Sequence, residues 1–230
     1  LRFMIATGSS PGNDMKLVWS RLEAARNFAN KLWNASRFTL EAVASCSGPP
    51  GHPTATDKWI LGRLDFVVNE TTRLLENFHF GQAGRLIHSF LWDDLCDWYI
   101  ESSKVRLQGS DTEAAARAGE TLVEVLGTSL RLLHPYMPFV TEEIWSHLRA
   151  IRSDVGAEHI IIADWPMDHG RASSAAVAEV TQLVEAVKAI RNARHEAGVD
   201  AGRWIEAQVR PGRFRTVLAA SGAHPASTGS

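Results

Sequence analysis

The feature that most constrains the fold is a regular spacing of mostly apolar residues between positions 57 and 78. Ile60, Leu64, Val67, Thr71, Leu74 and Phe78 follow one another at intervals of four and three residues. An average repeat of 3.5 residues places such side chains on one stripe of an α-helix, which is typical of helices that pack side by side. The pattern therefore predicts a helix from Asp57 to Phe78 that belongs to a helix bundle.

Five further segments are predicted helices: residues 1–7, Met15–Ala44, Phe80–Leu107, Asp111–Leu133 and 139–148. The intervening stretches "GSSPGND", "CSGPPGHPT" and "HPYMP" contain Gly or Pro, which interrupt helices. Thr141 is a candidate N-cap for the last of these helices. We therefore predict an all-α, antiparallel helix bundle over residues 1–150.

The chain after residue 150 has a different pattern. Residues 151–171 are a predicted linker, in which "HIIIADWP" is extended along the surface. Residues 172–212 are predicted to form a partial unit, with a helix at 172–196 ended by Gly198 and a strand at 203–210, and residues 213–230 a disordered tail. Because a lone strand is not stable, we expect this short α/β segment to be truncated and the chain to be a piece of a longer protein.

Charge and cysteine content restrict the function. The net charge of −2 argues against a general nucleic-acid binder, but residues 1–45 carry six basic and three acidic residues, a net of +3, against −5 for the remainder. Such a local excess can contact phosphate. Two cysteines, Cys46 and Cys96, exclude a disulfide framework and a four-thiolate zinc site. Without a signal peptide or a membrane-spanning apolar run, we expect a cytoplasmic location and no membrane partner.

The stretch "ANKLWNASRF" (29–38) places an aromatic ring on the polar side of the first long helix. At about 100° per residue, the core arc contains Ala25, Phe28, Ala29, Leu32, Ala35, Ser36, Thr39 and Leu40. The polar arc contains Asn27, Lys31, Asn34 and Phe38, with Asn30 and Arg37 beside it. Amides read base edges, lysine contacts phosphate, and an exposed ring stacks on an unpaired base. Alternatively, Phe38 packs beneath the 46–54 loop, and spacing alone leaves both interpretations open.

An acidic stretch, "WDDLCDWYIE", suggests a different class of site. It places Asp93, Asp97 and Glu101 at intervals of four residues, and Glu76 and His79 have the Glu-x-x-His spacing of di-iron bundles. Such a site needs two of these pairs and two more glutamates, whereas only one pair is present. We therefore expect a solvated acidic face, or a docking face for arginine, and no metal. Gly-rich phosphate loops, nucleophile elbows and zinc signatures are missing, so we expect no catalytic residues.

Several stretches resemble, in order and spacing, the anticodon-binding domain of valyl-tRNA synthetases. They are "LRFMIATGSSPGNDMKL", "RNFANKLWNASRF", "DKWILGRLDFVV", "FLWDDLCDWYIESSK", "LLHPYMPFVTEEIW" and "VEAVKAIRNARHEAGV", and they cover residues 1–210 approximately. The resemblance implies the bundle of class Ia aminoacyl-tRNA synthetases. It also implies a parent enzyme that uses ATP, with magnesium, to join valine to its tRNA. The isoleucyl and leucyl enzymes share the bundle but differ around the first long helix.

The resemblance also implies partners and site residues. The catalytic "HIGH" and "KMSKS" sequences are missing, so this chain is expected to have no catalytic activity and no cofactor of its own. The expected partners of a monomeric protein are the anticodon loop of valine tRNA and the catalytic domain of the same parent chain. The implied anticodon-binding residues are Lys31 and Phe38, with Asn34 and Arg37 adjacent, Asn27 on the same face and Arg21 near the helix start. The alternative is a helical docking module of an isoleucyl or leucyl synthetase without base-specific reading.

Overall fold

The computed structural model describes residues 1–8, 18–171, 174–200 and 203. The helices are α1 (Arg2–Gly8), α2 (Trp19–Ser45), α3 (Ala55–Glu76), α4 (Phe80–Ser89), a π-helical segment (Phe90–Ile100), α5 (Glu101–Leu107), α6 (Thr112–Leu133), α7 (Pro138–Ile151) and α8 (Ser174–Glu196). Two short 3₁₀ turns span Ser153–Val155 and Ile160–Ile162. The predicted all-α bundle is confirmed. Residues 204–210 of the predicted strand and the predicted tail lie outside the described residues.

The chain divides into two units, Leu1–Ser173 and Ser174–Ser230. The first unit contains α1 to α7, and α2 packs in it against α6 and α7 while α3 packs against α4 and α6. In the second unit, α8 ends where Gly198 adopts a left-handed φ of 63°, as the sequence predicts. None of the helices in the described part of the chain is long and apolar enough to cross a lipid bilayer.

The predicted stripe of α3 is buried as far as Leu74. The helix starts with a capping box, in which Thr54 Oγ1 accepts a hydrogen bond from the Asp57 amide and the Asp57 carboxylate accepts one from the Thr54 amide. The last predicted position was wrong, because α3 ends at Glu76 and Phe78 is 74% exposed. Phe78 has a φ of 60°, and the amide of His79 donates to the carbonyl of Leu74. This Schellman ending turns the chain out of the helix, so Phe78 leaves the stripe.

The core arc of α2 agrees with the sequence prediction. Phe28, Leu32, Ser36 and Thr39 are buried, and the four other predicted members are half-buried. The buried Ser36 hydroxyl donates to the Leu32 carbonyl at 2.8 Å, so this small polar group is satisfied within the helix. The opposite face of α2 is therefore the one that reaches solvent.

The third predicted helix is continuous from Phe80 to Leu107, but its centre has π-helical hydrogen bonding. Its buried side chains recur at both four-residue and five-residue intervals, as the set Phe90, Leu91, Leu95, Tyr99 and Ile100 shows. A π-helix pairs residues five apart and is wider than an α-helix, so residues both four and five apart lie on its buried face.

Two local predictions near the end of the bundle were wrong. Thr141 does not cap α7, which begins with Pro138 at its first position; Thr141 is buried and its hydroxyl donates to the Met137 carbonyl at 2.9 Å. In the predicted extended stretch, Ile160–Ile162 instead form a 3₁₀ turn in which Ile160 is buried, whereas His159 before it and Ala163 after it are extended. The residues that follow are held against α3, where Trp165 Nε1 donates to Thr72 Oγ1 at 2.9 Å.

Candidate nucleic-acid interface

The polar face of α2 lies beside the continuous helix formed by the π-helical segment and α5. That helix runs in the same direction as α2. Lys31 Nζ lies 2.7 Å from Asp97 Oδ1. Seven residues further along both, Lys104 Nζ lies 5.6 Å from the centre of the Phe38 ring. Each pair is separated by 66 sequence positions, so the register is constant over a length of about 10 Å. We call the surface formed by Lys31, Phe38, Asp97, Lys104 and its partner Glu101 the polar strip.

Lys31 is held by two groups from the neighbouring segment. Its side chain is 26% exposed, and its ammonium lies 2.7 Å from Asp97 and 3.7 Å from the centre of the Trp92 ring. A cation over an indole face is attracted by the negative face of the ring. The ion pair and the ring together place the ammonium in one position at the surface.

Trp92 is in turn supported by a stack of rings. His88 lies nearly parallel to it, with ring centres 5.6 Å apart, and Phe28 lies 4.4 Å from His88 and 6.5 Å from Trp92. Burial lowers the pKa of His88, Asp93 opposes this effect, and the Lys31 charge adds to it, so the pKa lies below its ordinary value. His88 is therefore neutral at pH 7 and packs as an aromatic ring.

Phe38 is half-buried, so its ring is neither sealed in the core nor fully exposed. Lys104 lies over the ring, and the same ammonium lies 2.6 Å from Glu101 Oε1. The ring thus keeps a solvent-facing part and has a cation as its neighbour. A partly exposed ring of this kind can stack on another aromatic ring.

The other predicted site residues differ in position. Asn27 and Asn34 are exposed on the face of α2 that carries Lys31 and Phe38. Arg37 is exposed beside them, with Nε 3.8 Å from Glu41 Oε1. Arg21 lies about 15 Å before Lys31 along the helix, where its Nη1 donates to the Gly8 carbonyl at 3.5 Å. Five of the six predicted residues therefore share one region, and Arg21 is apart from it.

Sequence reasoning missed the contribution of the π-helical segment and α5. Asp97 was expected on a solvated acidic face, and neither Trp92 nor Lys104 was assigned to the site. The only signal was that Asp97 and Lys104 have the same seven-residue separation as Lys31 and Phe38. That coincidence gains meaning only when the two helices are known to be neighbours.

The acidic residues of this segment do not form one cluster. Asp93 accepts a hydrogen bond from Ser89 Oγ at 2.9 Å, Asp97 pairs with Lys31, and Glu101 pairs with Lys104. Within the ranges that the structure describes, no group of three or more His, Cys, Asp or Glu residues could hold a metal ion. Each carboxylate instead serves a different side chain.

The polar strip is close to neutral although the first 45 residues are basic. Lys31, Arg37 and Lys104 each lie within 4 Å of a carboxylate. What the strip presents is a fixed donor, a fixed acceptor and a ring, rather than a field of positive charge. These groups suit hydrogen bonding to planar heterocycles and stacking on them better than they suit contacts to phosphates alone.

Comparisons with known proteins place this chain in a family. Residues 57–209 match the family model described as the anticodon-binding domain of tRNA ligase. The chain is 45% identical over 222 residues to the valine--tRNA ligase of Dehalococcoides mccartyi (strain CBDB1), covering 95% of this chain and 25% of that protein. It is 39% identical over 217 residues to that of Bacillus subtilis (strain 168), covering 91% and 24%. The chain thus spans about a quarter of the length of these curated relatives.

A solved structure supports the fold. The LeuRS of Agrobacterium radiobacter K84, in a ternary complex with tRNA and LeuAMS, matches 74% of this chain and 20% of its own, with a TM-score of 0.52 and 20% sequence identity. At that identity the likeness concerns the fold alone. The family model, in contrast, matches more than half of the chain, from the start of α3 to beyond α8. This chain therefore belongs to the family of anticodon-binding domains of tRNA ligases.

Proposed function

We propose that this chain is the anticodon-binding domain of a valine–tRNA ligase and that its polar strip binds the anticodon loop of valine tRNA. The observation that carries the proposal is the position of the half-buried Phe38 ring on the same strip as the fixed Lys31 ammonium. The names of the relatives, which are 39–45% identical over at least 90% of the chain, support the choice of valine.

The chemistry of a tRNA anticodon fits this strip. Loop bases are unpaired, so they can stack on an aromatic ring and expose their Watson–Crick edges to side chains. Valine codons begin with G and U, so every valine anticodon has A in the middle and C at its third position. In the proposal, one of these bases stacks on Phe38 and another meets Lys31. Asn27, Asn34 and Arg37 contact the flanking nucleotides, and Arg21 makes a separate contact to the RNA backbone.

The activity of the whole enzyme is part of the same proposal. In the proposal, the parent joins valine to its tRNA with ATP and magnesium, as a monomer in the cytoplasm, and a separate domain of that parent carries out the catalysis. No residue of this chain is assigned to ATP or magnesium. Its role is to hold the anticodon arm, with the catalytic domain of the same polypeptide as its protein partner.

The test is a titration with a 17-nucleotide anticodon stem-loop followed by fluorescence anisotropy. Replacing Phe38 with Ala should weaken binding about 5- to 150-fold, because stacking of a base on an aromatic ring contributes about 1–3 kcal/mol. Phe66→Ala is the matched control, since Phe66 is also a surface ring close to a cation (Arg63, 5.3 Å) but lies on α3. The unmodified chain should prefer loops that have A in the middle and C at the third position of the anticodon. Equal affinity at low salt for loops with and without these two bases would contradict the proposal.

The neutral character of the polar strip favours one other candidate, a docking surface for protein in a related isoleucyl or leucyl synthetase. Paired charges at a surface give electrostatic complementarity with a protein that carries the opposite arrangement of charges. This function requires that charge reversal at Lys31 or Arg37 abolishes a protein contact while RNA binding shows no preference between anticodons. The titration above separates the two functions.

A further inference from the structure

A hydrogen-bond donor and a hydrogen-bond acceptor are fixed side by side on the polar strip. Lys31 Nζ and Asp97 Oδ1 are 2.7 Å apart, and their side chains are 26% and 47% exposed, so the pair reaches solvent. An ammonium has three donors and a carboxylate has about four acceptor positions, and their mutual bond uses one of each. Both groups therefore retain capacity for a ligand while Trp92 limits how far the ammonium can move.

We propose that Asp97 is a specificity residue which, together with Lys31, selects bases that carry an amino group next to an unprotonated ring nitrogen. Adenine (N6 amino group and N1) and cytosine (N4 amino group and N3) have this order of groups on their Watson–Crick edges. The Asp97 carboxylate accepts from the amino group, as acidic side chains do from cytosine N4. The Lys31 ammonium donates to the ring nitrogen. This inference rests on the proposed anticodon function and deepens it.

Guanine and uracil present the reversed order on the same edge, a carbonyl oxygen followed by a protonated ring nitrogen. Guanine can meet a fixed Asp–Lys pair only if the base is turned over, which moves its ribose to the opposite side. Uracil must either turn over in the same way or shift by one position along its edge, so that N3–H meets Asp97 and O2 meets Lys31. The position of Lys31 is set by Asp97 and by the Trp92 ring, so the pair cannot simply exchange its donor and acceptor. The order of groups therefore gives discrimination, and valine anticodons share the two bases that have the accepted order.

The distance between Lys31 and Phe38 along the polar strip means that hydrogen bonding to a base edge and stacking on the ring occur at different places. Lys31 and Phe38 are seven residues apart on α2, which corresponds to about 10 Å. One stacked nucleotide occupies about 3.4 Å, so the Phe38 ring and the Lys31–Asp97 pair engage different nucleotides. Asp97 therefore acts on a base other than the one that stacks on Phe38.

The experiment removes the base amino group and the carboxylate separately and together. The 230-residue chain and its Asp97→Ala variant are titrated with the natural A–C stem-loop. They are also titrated with loops in which purine riboside replaces A or pyrimidin-2-one riboside replaces C, which delete only the amino group. We expect the unmodified chain to lose at least tenfold in affinity with one of the two modified loops. Asp97→Ala should bind that loop and the natural loop within twofold of each other.

Asp93→Ala is the matched control, because this substitution removes the same charge from the same segment. Asp93 accepts a hydrogen bond from Ser89 rather than from Lys31. It should keep the full tenfold discrimination, and circular dichroism melting verifies that both variants fold. Undiminished discrimination in Asp97→Ala would overturn the inference. So would equally tighter binding of every loop, which would show that Asp97 only repels phosphate. If the unmodified chain fails to prefer the A–C loop over a G–U loop, the proposed function itself fails.

Discussion

Among single residues, the buried carboxylate of Asp57 ties the start of α3 to two neighbouring helical segments. It is fully buried, accepts two hydrogen bonds of 2.8 Å from the Arg106 guanidinium and one of 2.6 Å from the Tyr99 hydroxyl, and also caps α3 through Thr54. A buried charge is tolerated only when it is paired and hydrogen-bonded, as it is here. The same residue thus completes the capping box of α3 and anchors α5, which carries Lys104.

Replacing Arg106 with Leu should lower the free energy of unfolding by about 3–5 kcal/mol, because it leaves the buried Asp57 charge without its partner. Urea denaturation at pH 7 measures the change. Lys104→Met is the matched control on the same helix, since the Lys104–Glu101 pair is solvent-exposed and contributes less than about 1 kcal/mol. Equal losses in the two variants would contradict this account of the buried pair.

The Asp57 network also predicts how stability depends on pH. Burial alone would raise the pKa of Asp57, but hydrogen bonds from Arg106, Tyr99 and Thr54 outweigh it, so the pKa lies below its ordinary value of 3.8. A lowered carboxyl pKa gives stability that is fully present above pH 3.8 and is lost as pH falls through the folded-state value. Acid titration of the Asp57→Asn variant should show less of this loss below pH 3.8 than the unmodified chain.

At the scale of helices, α1 packs on α4 at a place where a glycine allows close approach. A Cβ atom at Gly84 would lie 2.6 Å from Thr7 Cγ2 and 3.0 Å from Tyr136 Cε1. The contact matters for the site because α1 also brings Phe3 to within 5.2 Å of Phe28, the ring that supports His88 and Trp92. Contacts among Phe3, Phe28, His88 and Trp92 thus connect α1 to the ammonium of Lys31.

Gly84→Ala should therefore destabilise the bundle by about 1–3 kcal/mol, because overpacking outweighs the roughly 1 kcal/mol that alanine gains over glycine in a helix. Thermal unfolding of the single variant and of the Thr7→Ala/Gly84→Ala double variant measures this. The double variant removes the closest clashing atom and should recover part of the loss. A Gly84→Ala protein more stable than the unmodified chain would show that α1 moves aside at little cost.

For the whole molecule, charge pairing determines how RNA binding responds to salt. The chain has a net charge of −2, and the three cations of α2 and α5 near Phe38 are each close to a carboxylate. Counterion release follows the number of phosphates that are neutralised. Binding by stacking and edge recognition should consequently depend less on salt than binding by a basic surface does.

We expect a plot of the logarithm of the association constant for the A–C stem-loop against the logarithm of the salt concentration to fall with a slope of magnitude below about 2. Six to ten phosphate contacts to a single strand would give a magnitude of about 4–7. Titrations between 50 and 400 mM KCl, a range of roughly eightfold, measure it. Glu101→Gln frees Lys104 from its partner and should steepen the slope by about 0.7. A steep slope in the unmodified chain would mean that its ion pairs open to bind phosphates.

The sequence by itself determined the helical class, the approximate bounds of the helices and the polar face of α2. These properties depend on residues three and four positions apart, whose spacing is visible in one dimension. Apart from the cap assigned to Thr141, the errors occurred where the backbone departed from that regularity: the left-handed Phe78, the π-helical segment and the 3₁₀ turn at Ile160. Tertiary structure alone decided that Asp97 and Lys104 face Lys31 and Phe38. Partners 66 positions apart meet only because two helices pack in parallel and in one register. That packing adds carboxylates to the basic face of α2, so the resulting strip is close to neutral and carries a fixed hydrogen-bond donor and acceptor.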